Sequence, residues 1–561
     1  MSFGSEYAVE IYVNRPFMDK PIIYQILPRL WGNLNEKLVR NCGVDVNGTG
    51  RFKDIDKSTL EYLKHLGVSH VWYTGVIRHA TDCDKRGCVP SNPQWVKGDA
   101  GSPYSITDYF DVNPYLAVNP EKRMDEFDAM IKRTHAAGLK AIIDFVPNHV
   151  ARDYGKYSPK PVRKGRDANG HPVLGALDDK TKHWLPDNDF FYYPGQPLKL
   201  PTKGTYREMP AKASGNIYSP EPSVNDWYDT VKINYCDFYT DTWERMYEVV
   251  CFWASRGVDG FRCDMVELVP TEFMGWLIKS VKKEFPDVQF IAEVYQKNLY
   301  GKYVREVGFD YLYDKSGLYD ALHDIMTGNV NNGNAPLEQW QSARRITWNW
   351  QSLGDLQPHM LNFLENHDEQ RLASDFFARK GRNALAAMYV SLLFNTAPFM
   401  LYFGQEAGEK GMDEEGMSGK DGRTSIFDWW SPASVRRLNL FIHGKGDLEP
   451  EEKALLERYK ALLSFASGSD VIKKGVTYDL CYCNMYSAGF NIDKNFAFIR
   501  KYGEETILVV SNFGTQDSDM DIMIPSEAFD WLQIPQSESL NASTPVKVHV
   551  PACDGVMINL R

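Results

Sequence analysis

What this chain has little of narrows its class before any motif is read. No apolar run reaches the ~18 consecutive residues that a membrane-spanning helix needs. Its first residues, Met1 to Tyr7, lack both the cationic start and the apolar core of a signal peptide. Cysteine is sparse, nine in 561 residues, and an odd count at scattered positions does not make a disulfide framework. Cys481 and Cys483 form a C-x-C, and Cys83 and Cys88 lack the C-x-x-C spacing of a zinc or redox site, so both pairs read as free thiols. Long basic runs and arginine stripes are absent as well, and the net charge is −11, which excludes nucleic acid as a partner. Low-complexity segments and internal repeats are missing. These absences together predict a cytoplasmic enzyme or binding protein with no membrane partner.

What is present is bulk and aromatic surface. At 561 residues the chain exceeds a single ordinary core and predicts one large domain with one or two smaller ones. Its 14 Trp and 31 Tyr are enough both to fill cores and to offer flat apolar faces to a ligand such as a sugar ring.

The rest of the chain is organised around Gly260-Phe261-Arg262-Cys263-Asp264-Met265-Val266-Glu267, a strand-like run that ends in an arginine and a carboxylate. Side chains two apart on a strand share a face, so Arg262 and Asp264 project together, the cation holding the acid ionised. An ionised, held carboxylate suits a nucleophile. The same pair also suits a structural salt bridge, with Asp264 capping the helix that follows.

Three further apolar runs end in polar clusters: Asp144-Phe145-Val146-Pro147-Asn148-His149, Phe290-Ile291-Ala292-Glu293 and Phe363-Leu364-Glu365-Asn366-His367-Asp368. In this order the four segments resemble the signature segments of the α-amylase family of glycoside hydrolases, a (β/α)8-barrel family acting on α-linked glucans. The resemblance implies an α/β fold: a TIM barrel with a subdomain inserted after strand three and a C-terminal antiparallel β-sandwich.

Taken in order, the chain fits that rhythm. Strand-like runs stand at 21–27, 68–73, 140–145, 260–263, 288–292, 309–313, 360–364 and 397–402, with helical periodicity at 55–66, 124–137, 241–255 and 272–283. From Ala151 to about Tyr235 the rhythm lapses into a Pro-, Gly-, Lys- and Asp-rich stretch, too long for a loop inside a compact barrel. Beyond Ser469 short alternating runs predict antiparallel strands. The domain organisation expected is a barrel over 1–149 and 236–468, an inserted subdomain over 150–235 and an all-β domain over 469–561. Asn41 to Gly50 reads as a glycine-rich turn, although Asp45-Val46-Asn47-Gly48 resembles an oxygen-rich cation loop.

In a barrel of this kind the reactive groups stand at the C-terminal ends of strands, so Asp264, Glu293 and Asp368 converge. Glu293 follows an apolar run with no basic residue beside it in sequence, which suits a general acid. The resemblance implies Asp264 as nucleophile, Glu293 as acid and base, and Asp368 as the third carboxylate; it also implies Tyr104 as a platform beneath the sugar, and His149 and His367 as hydroxyl partners. Arg262 belongs to the same set. Asp108 is expected to support its loop, and the role of Arg371 stays open between substrate and structure. Glu365 and Glu267 read as cleft-rim or helix-start residues.

Two departures from the family pattern stand out. Where many members carry Lys-His after the nucleophile segment, this chain has Glu267-Leu268. Lys232 falls where calcium-binding members offer an aspartate, and a cation there repels Ca2+. Its ammonium is expected to bridge Asn148 and carbonyls near Glu267 in place of a metal. No cofactor is expected, with Ca2+ left open. The activity expected is retaining hydrolysis of α-1,4 bonds in starch-derived glucans or maltooligosaccharides. Its rivals are a transglycosylase of the same family and an inactive barrel used as a binding subunit.

Overall fold

A computed structural model of the chain describes residues 20–156, 165–328 and 341–560. Residues 1–7, on which the leader reading rests, and 157–164 of the inserted stretch lie outside the described residues. Eight strands form a closed parallel barrel: β1 (Ile22–Ile26), β2 (His70–Tyr73), β3 (Lys140–Phe145), β4 (Gly260–Cys263), β5 (Gln289–Ala292), β6 (Tyr311–Tyr313), β7 (Met360–Phe363) and β8 (Phe399–Tyr402). Each pairs with its neighbours in sequence, and β8 closes on β1. These strands read as continuous apolar runs because helices cover the outside while side chains fill the inside, so both faces of each strand are dry.

The covering helices include α1 (Lys57–His65), α2 (Arg123–Ala136), α3 (Asp241–Ser255), α4 (Thr271–Glu284), α5 (Asp320–Thr327), α6 (Arg344–Leu353), α7 (Leu385–Leu393), α8 (Ala433–Ile442) and α9 (Pro450–Gly468). Local chemistry fixes their ends. Asp56 caps α1 by accepting the Thr59 N–H at 3.0 Å. Amphipathic spacing then turns residues such as Phe127, Met130 and Ile131 of α2 inward. In the turn 41–50, Asn47 accepts the Val39 N–H and donates to Val39 O and Cys42 O, so its side chain is spent on the turn itself.

The chain that leaves β3 returns to the barrel beside its own start. His149–Ala151 pairs antiparallel with Thr230–Lys232, in the register His149 to Lys232, and this short ladder fastens both ends of the intervening stretch next to the C-terminal end of β3. After the barrel, β9 (Val476–Asp479), β10 (Asn495–Tyr502), β11 (Glu505–Asn512) and β14 (Asp554–Asn559) form an antiparallel sheet, with β12 (Ser518–Ile522) and β13 (Val546–Val550) as a second pair. Besides the strands read from sequence, this part carries three short helices, Asp470–Lys474, Cys481–Asn484 and Ser526–Leu532.

The sheet and the barrel share one continuous core. All nine residues of α7 are buried, because α7 packs between the barrel and strands β11 and β14. The buried Arg500 of β10 donates to Leu393 O, Ile472 O and Gly475 O at 2.7, 3.0 and 2.7 Å, tying the sheet to the end of α7. Among the described residues no helix is long and apolar enough to cross a membrane.

Candidate active site

The register of the barrel brings the site together. Arg262 on β4 lies opposite Asp144 on β3 and opposite Ile291 on β5, so a guanidinium pointing into the barrel meets groups from both neighbours. Its side chain is fully buried. One Nη reaches Asp264 Oδ1 at 2.7 Å and Asp144 Oδ1 at 3.4 Å, and the other reaches Glu293 Oε2 at 2.8 Å. Nε donates to the Tyr313 hydroxyl at 3.2 Å. The rings of Trp72, Tyr104 and Tyr313 stand around the cation at 5.5, 5.3 and 5.6 Å.

Two sequence expectations change here. Glu293 does have a basic neighbour, Arg262, which reaches it across strands and not along the chain. Nor does Arg262 simply hold Asp264 ionised. Burial pushes the Asp264 carboxyl well above the usual carboxylate range, with Arg262 opposing and Glu293 and Asp144 adding to the push. Asp144 is raised for the same reason, burial, against the pull of Arg262, His367 and the Trp72 N–H at 3.1 Å. One guanidinium faces three carboxylates, so repulsion among the acids adds to burial in raising Asp264 and Asp144. Asp264 does not cap the turn that follows; Met265 takes the left-handed N-cap position there, with φ 45°.

Past β7, His367 and Asp368 close the other side. His367 Nδ1 meets the Gln25 amide at 2.9 Å, while Nε2 faces the Tyr104 hydroxyl at 2.5 Å and Asp368 Oδ2 at 3.1 Å. Burial pushes the Asp368 carboxyl up, but His367, followed by Arg262 and Arg423, overrides it and holds it at about 2, so Asp368 stays ionised. Tyr104 stacks on His367 with ring centres 5.3 Å apart. Its loop is set by Gly101, whose φ of 74° and close approach to Ala80 leave no room for a side chain: a Cβ would stand 1.8 Å from the Ala80 carbonyl oxygen. His149 lies beside Trp227, 5.1 Å between ring centres, and burial brings it to about 3, with Lys232 and Lys97 adding, so it remains a neutral hydrogen-bonding ring.

Tyr104, His149, Asp264, Glu293 and Asp368 thus line one open cleft of about 710 Å³, together with Lys97, Trp227, Tyr295 and Phe427. Arg262 lies behind the carboxylates as their common partner. Arg371 is not in the cleft: it is buried and bonds Glu365 Oε2, Phe403 O and Thr424 Oγ1, each at 2.9 Å. Glu365 is buried too, not on a rim, and burial brings it to about 7 against the pull of Arg371. Asp108 accepts the Phe110 N–H at 2.9 Å, a contact within its own strand. Sequence reasoning assigned no role to Asp144, Gln25, Trp72, Tyr295 or Tyr313; their only signal was position within or next to the strand-end segments.

Lys232 is buried at the foot of the inserted stretch. Its ammonium donates to Asn148 Oδ1 and, at 2.8 Å, to Leu268 O, one residue beyond Glu267, and burial lowers it to about 8. Those two oxygens are the ones a cation bridging the insertion to the barrel would use, and the ammonium already takes both, so the donor set does not fit Ca2+ there. Among the described residues no group of three or more His, Cys, Asp or Glu side chains is disposed to hold a metal ion.

Comparison with known proteins gives the family. Residues 25–434 match the model of the alpha amylase catalytic domain. The chain is 23% identical over 476 residues to alpha-amylase 3 of Dictyoglomus thermophilum, covering 80% of this chain and 77% of that protein. It is 21% identical over 583 residues to the glucan 1,6-alpha-glucosidase of Streptococcus dysgalactiae subsp. equisimilis, covering 90% and 93%. The crystal structure of an alpha-amylase from Geobacillus thermoleovorans complexed with acarbose superposes with a TM-score of 0.62 at 17% identity, covering 98% of this chain and 99% of that one. With a family model matched from β1 into α8, around a barrel whose strand ends hold the carboxylates, this chain belongs to the α-amylase family of glycoside hydrolases.

Proposed function

We propose that this enzyme cleaves α-1,4-glucosidic bonds of starch-derived glucans or maltooligosaccharides with retention, through a covalent glycosyl-enzyme. The observation that carries the reading is the single guanidinium holding Asp264 and Glu293 from adjacent strands at 2.7 and 2.8 Å. A shared planar fork supports the close-set arrangement of retaining enzymes, with carboxyls about 5 Å apart, over the inverting one, which needs about 6.5–9.5 Å to admit a water.

Arg262 occupies Asp264 Oδ1 and leaves Oδ2 to attack the anomeric carbon. As that bond forms, Glu293 passes its proton to the glycosidic oxygen and the bond to the leaving sugar breaks. Glu293 then takes a proton from water, whose oxygen attacks the anomeric carbon and releases Asp264. Asp368, ionised at all working pH values, and the neutral His149 ring offer acceptors to sugar hydroxyls, and Asp368 favours the positively charged transition state. Tyr104 gives the sugar an apolar face.

The test is turnover of a maltooligosaccharide by the parent, Asp264→Asn and Glu293→Gln. Asp264→Asn should lose roughly three orders of magnitude or more in kcat with the fold intact. Glu293→Gln should lose far less on a dinitrophenyl maltoside, whose leaving group needs no proton, than on the oligosaccharide. Near-normal turnover by Asp264→Asn sinks the nucleophile, and equal losses on both substrates sink the acid. Product analysis separates hydrolysis from chain transfer.

A further inference from the structure

Glu293 is held from behind and capped from in front. Oε2 accepts the Met265 N–H at 2.8 Å and faces an Arg262 Nη at 2.8 Å, so it is committed to the protein. Only Oε1 remains to serve the cleft, and there the Tyr295 hydroxyl donates to it at 2.5 Å. The Tyr295 ring lines the same cleft as Asp264, Glu293 and Asp368 and is itself partly exposed.

The backbone beneath Tyr295 is fastened by a residue that the chemistry leaves unused. Glu267 Oε1 accepts the Tyr295 N–H at 3.1 Å and the Gln296 N–H at 2.8 Å. The turn after the nucleophile and the turn after the acid are therefore clasped twice, by Met265 N–H to Glu293 and by Glu267 to residues 295–296. The left-handed backbone of Met265 aims the first of these bonds. Glu267 turns toward this clasp and not toward a glucan.

We propose that Tyr295, fixed by Glu267, is a positioning residue for proton transfer: its hydroxyl holds Glu293 Oε1 on the leaving-group side and stabilises the carboxylate that forms when the proton departs. The inference rests on the assignment of Glu293 as the acid. In the step itself the proton moves from Glu293 to the glycosidic oxygen, the bond from anomeric carbon to that oxygen breaks, and the phenol keeps its own proton. Burial, then the charges of Glu293 and Asp368, push the Tyr295 phenol far above its ordinary value, so it remains a donor throughout. A donor aimed at the charged form makes an acid stronger, and that help matters most when the leaving group is a sugar alkoxide. When Glu293 next acts as base toward water, the same bond keeps Oε1 facing the cleft.

Tyr295→Phe removes the hydroxyl and keeps the ring. The measurement is kcat/KM, which reports the first step alone, on maltotetraose and on 2,4-dinitrophenyl α-maltoside, across pH, with thermal unfolding of both proteins. On maltotetraose the variant should lose about tenfold to a hundredfold, the worth of one hydrogen bond to a charged group. On the dinitrophenyl substrate it should stay within about threefold of the parent, and the alkaline limb on maltotetraose should move to higher pH by about one unit. Glu267→Ala, which frees the 295–296 backbone, should lose less than Tyr295→Phe on maltotetraose and stay within about threefold of the parent on the dinitrophenyl substrate. Equal losses on the two substrates, or parent-like rates with an unmoved limb, overturn the inference and leave the acid assignment standing. A parent inactive on both substrates removes that assignment itself, and the inference with it.

Discussion

Replacing Lys232 tests whether an ammonium does the work of a metal at the foot of the inserted stretch. Two hydrogen bonds from a charged donor, to Asn148 Oδ1 and Leu268 O, give about 3–6 kcal/mol together. Burial that brings Lys232 from 10.5 to about 8 takes back about 3 kcal/mol. The Lys232→Met variant should therefore lose roughly 0–3 kcal/mol, a few degrees of Tm at most. Its folded form should respond to calcium no more than the parent does. Lys232→Asp should fare worse, since a buried carboxylate facing two carbonyl oxygens costs about 3–5 kcal/mol, and added Ca2+ should recover part of that loss. The assay is thermal unfolding of the three proteins with a strong chelator and with millimolar Ca2+. A calcium site filled to a thousand times its Kd contributes about 4 kcal/mol, several degrees of Tm. The reasoning fails if chelation lowers the parent's Tm by several degrees and Ca2+ restores it.

Lys232 also predicts a pH dependence. Its folded value is depressed, so between about 8 and 10.5 the unfolded chain binds more protons than the folded one, and the stability of the parent relative to Lys232→Met should rise with pH across that window. Chemical denaturation at a series of pH values checks the sign, and a fall would refute it. The acid limb of kcat/KM should lie above the ordinary carboxylate range of about 4, because burial raises Asp264, and it should not follow Asp368 near 2. A pH–rate profile flat down to pH 4 would contradict this. Arg371→Ala should lose about 3–5 kcal/mol of stability by leaving the buried Glu365 without its cation, while kcat of the folded fraction stays near the parent's; unfolding and active-site titration together separate the two.

The eight strands were legible because each is an apolar run buried on both faces and ended by polar residues, and that pattern is carried in every segment from Ile22 to Tyr402. The positions of Asp264, Glu293 and Asp368 in one cleft followed from the strand ends, whereas the contact of Lys232 with Asn148 followed from the family resemblance. The partnerships did not follow. That Arg262 serves Glu293 as well as Asp264 depends on the register between β4 and β5, and no local spacing reports it. The same holds for Gln25 beneath His367, which meets it only because the first and seventh strands point into one barrel. Glu267 looked like a rim residue because the two groups that donate to it, the backbone N–H of Tyr295 and of Gln296, carry no side-chain signature. Direction of titration was the least legible property, since Asp264 has a cation beside it in sequence and two more carboxylates beside it in space.

The hidden helix α7 has a bearing on how this chain can be divided. A barrel helix normally keeps one face for water, but every residue of Leu385–Leu393 is covered, and its outer face belongs to the C-terminal sheet as much as to the barrel. Cutting the chain beyond Ser469, where the strand pattern begins, would leave an oily rod on the surface and, at its end, the Leu393 carbonyl that Arg500 now satisfies. The sheet is thus no appendage that recombination could swap or an engineer could trim. The smallest inheritable unit here is the barrel together with its sheet, and a shorter version would have to rewrite α7 in polar residues before it could stand alone.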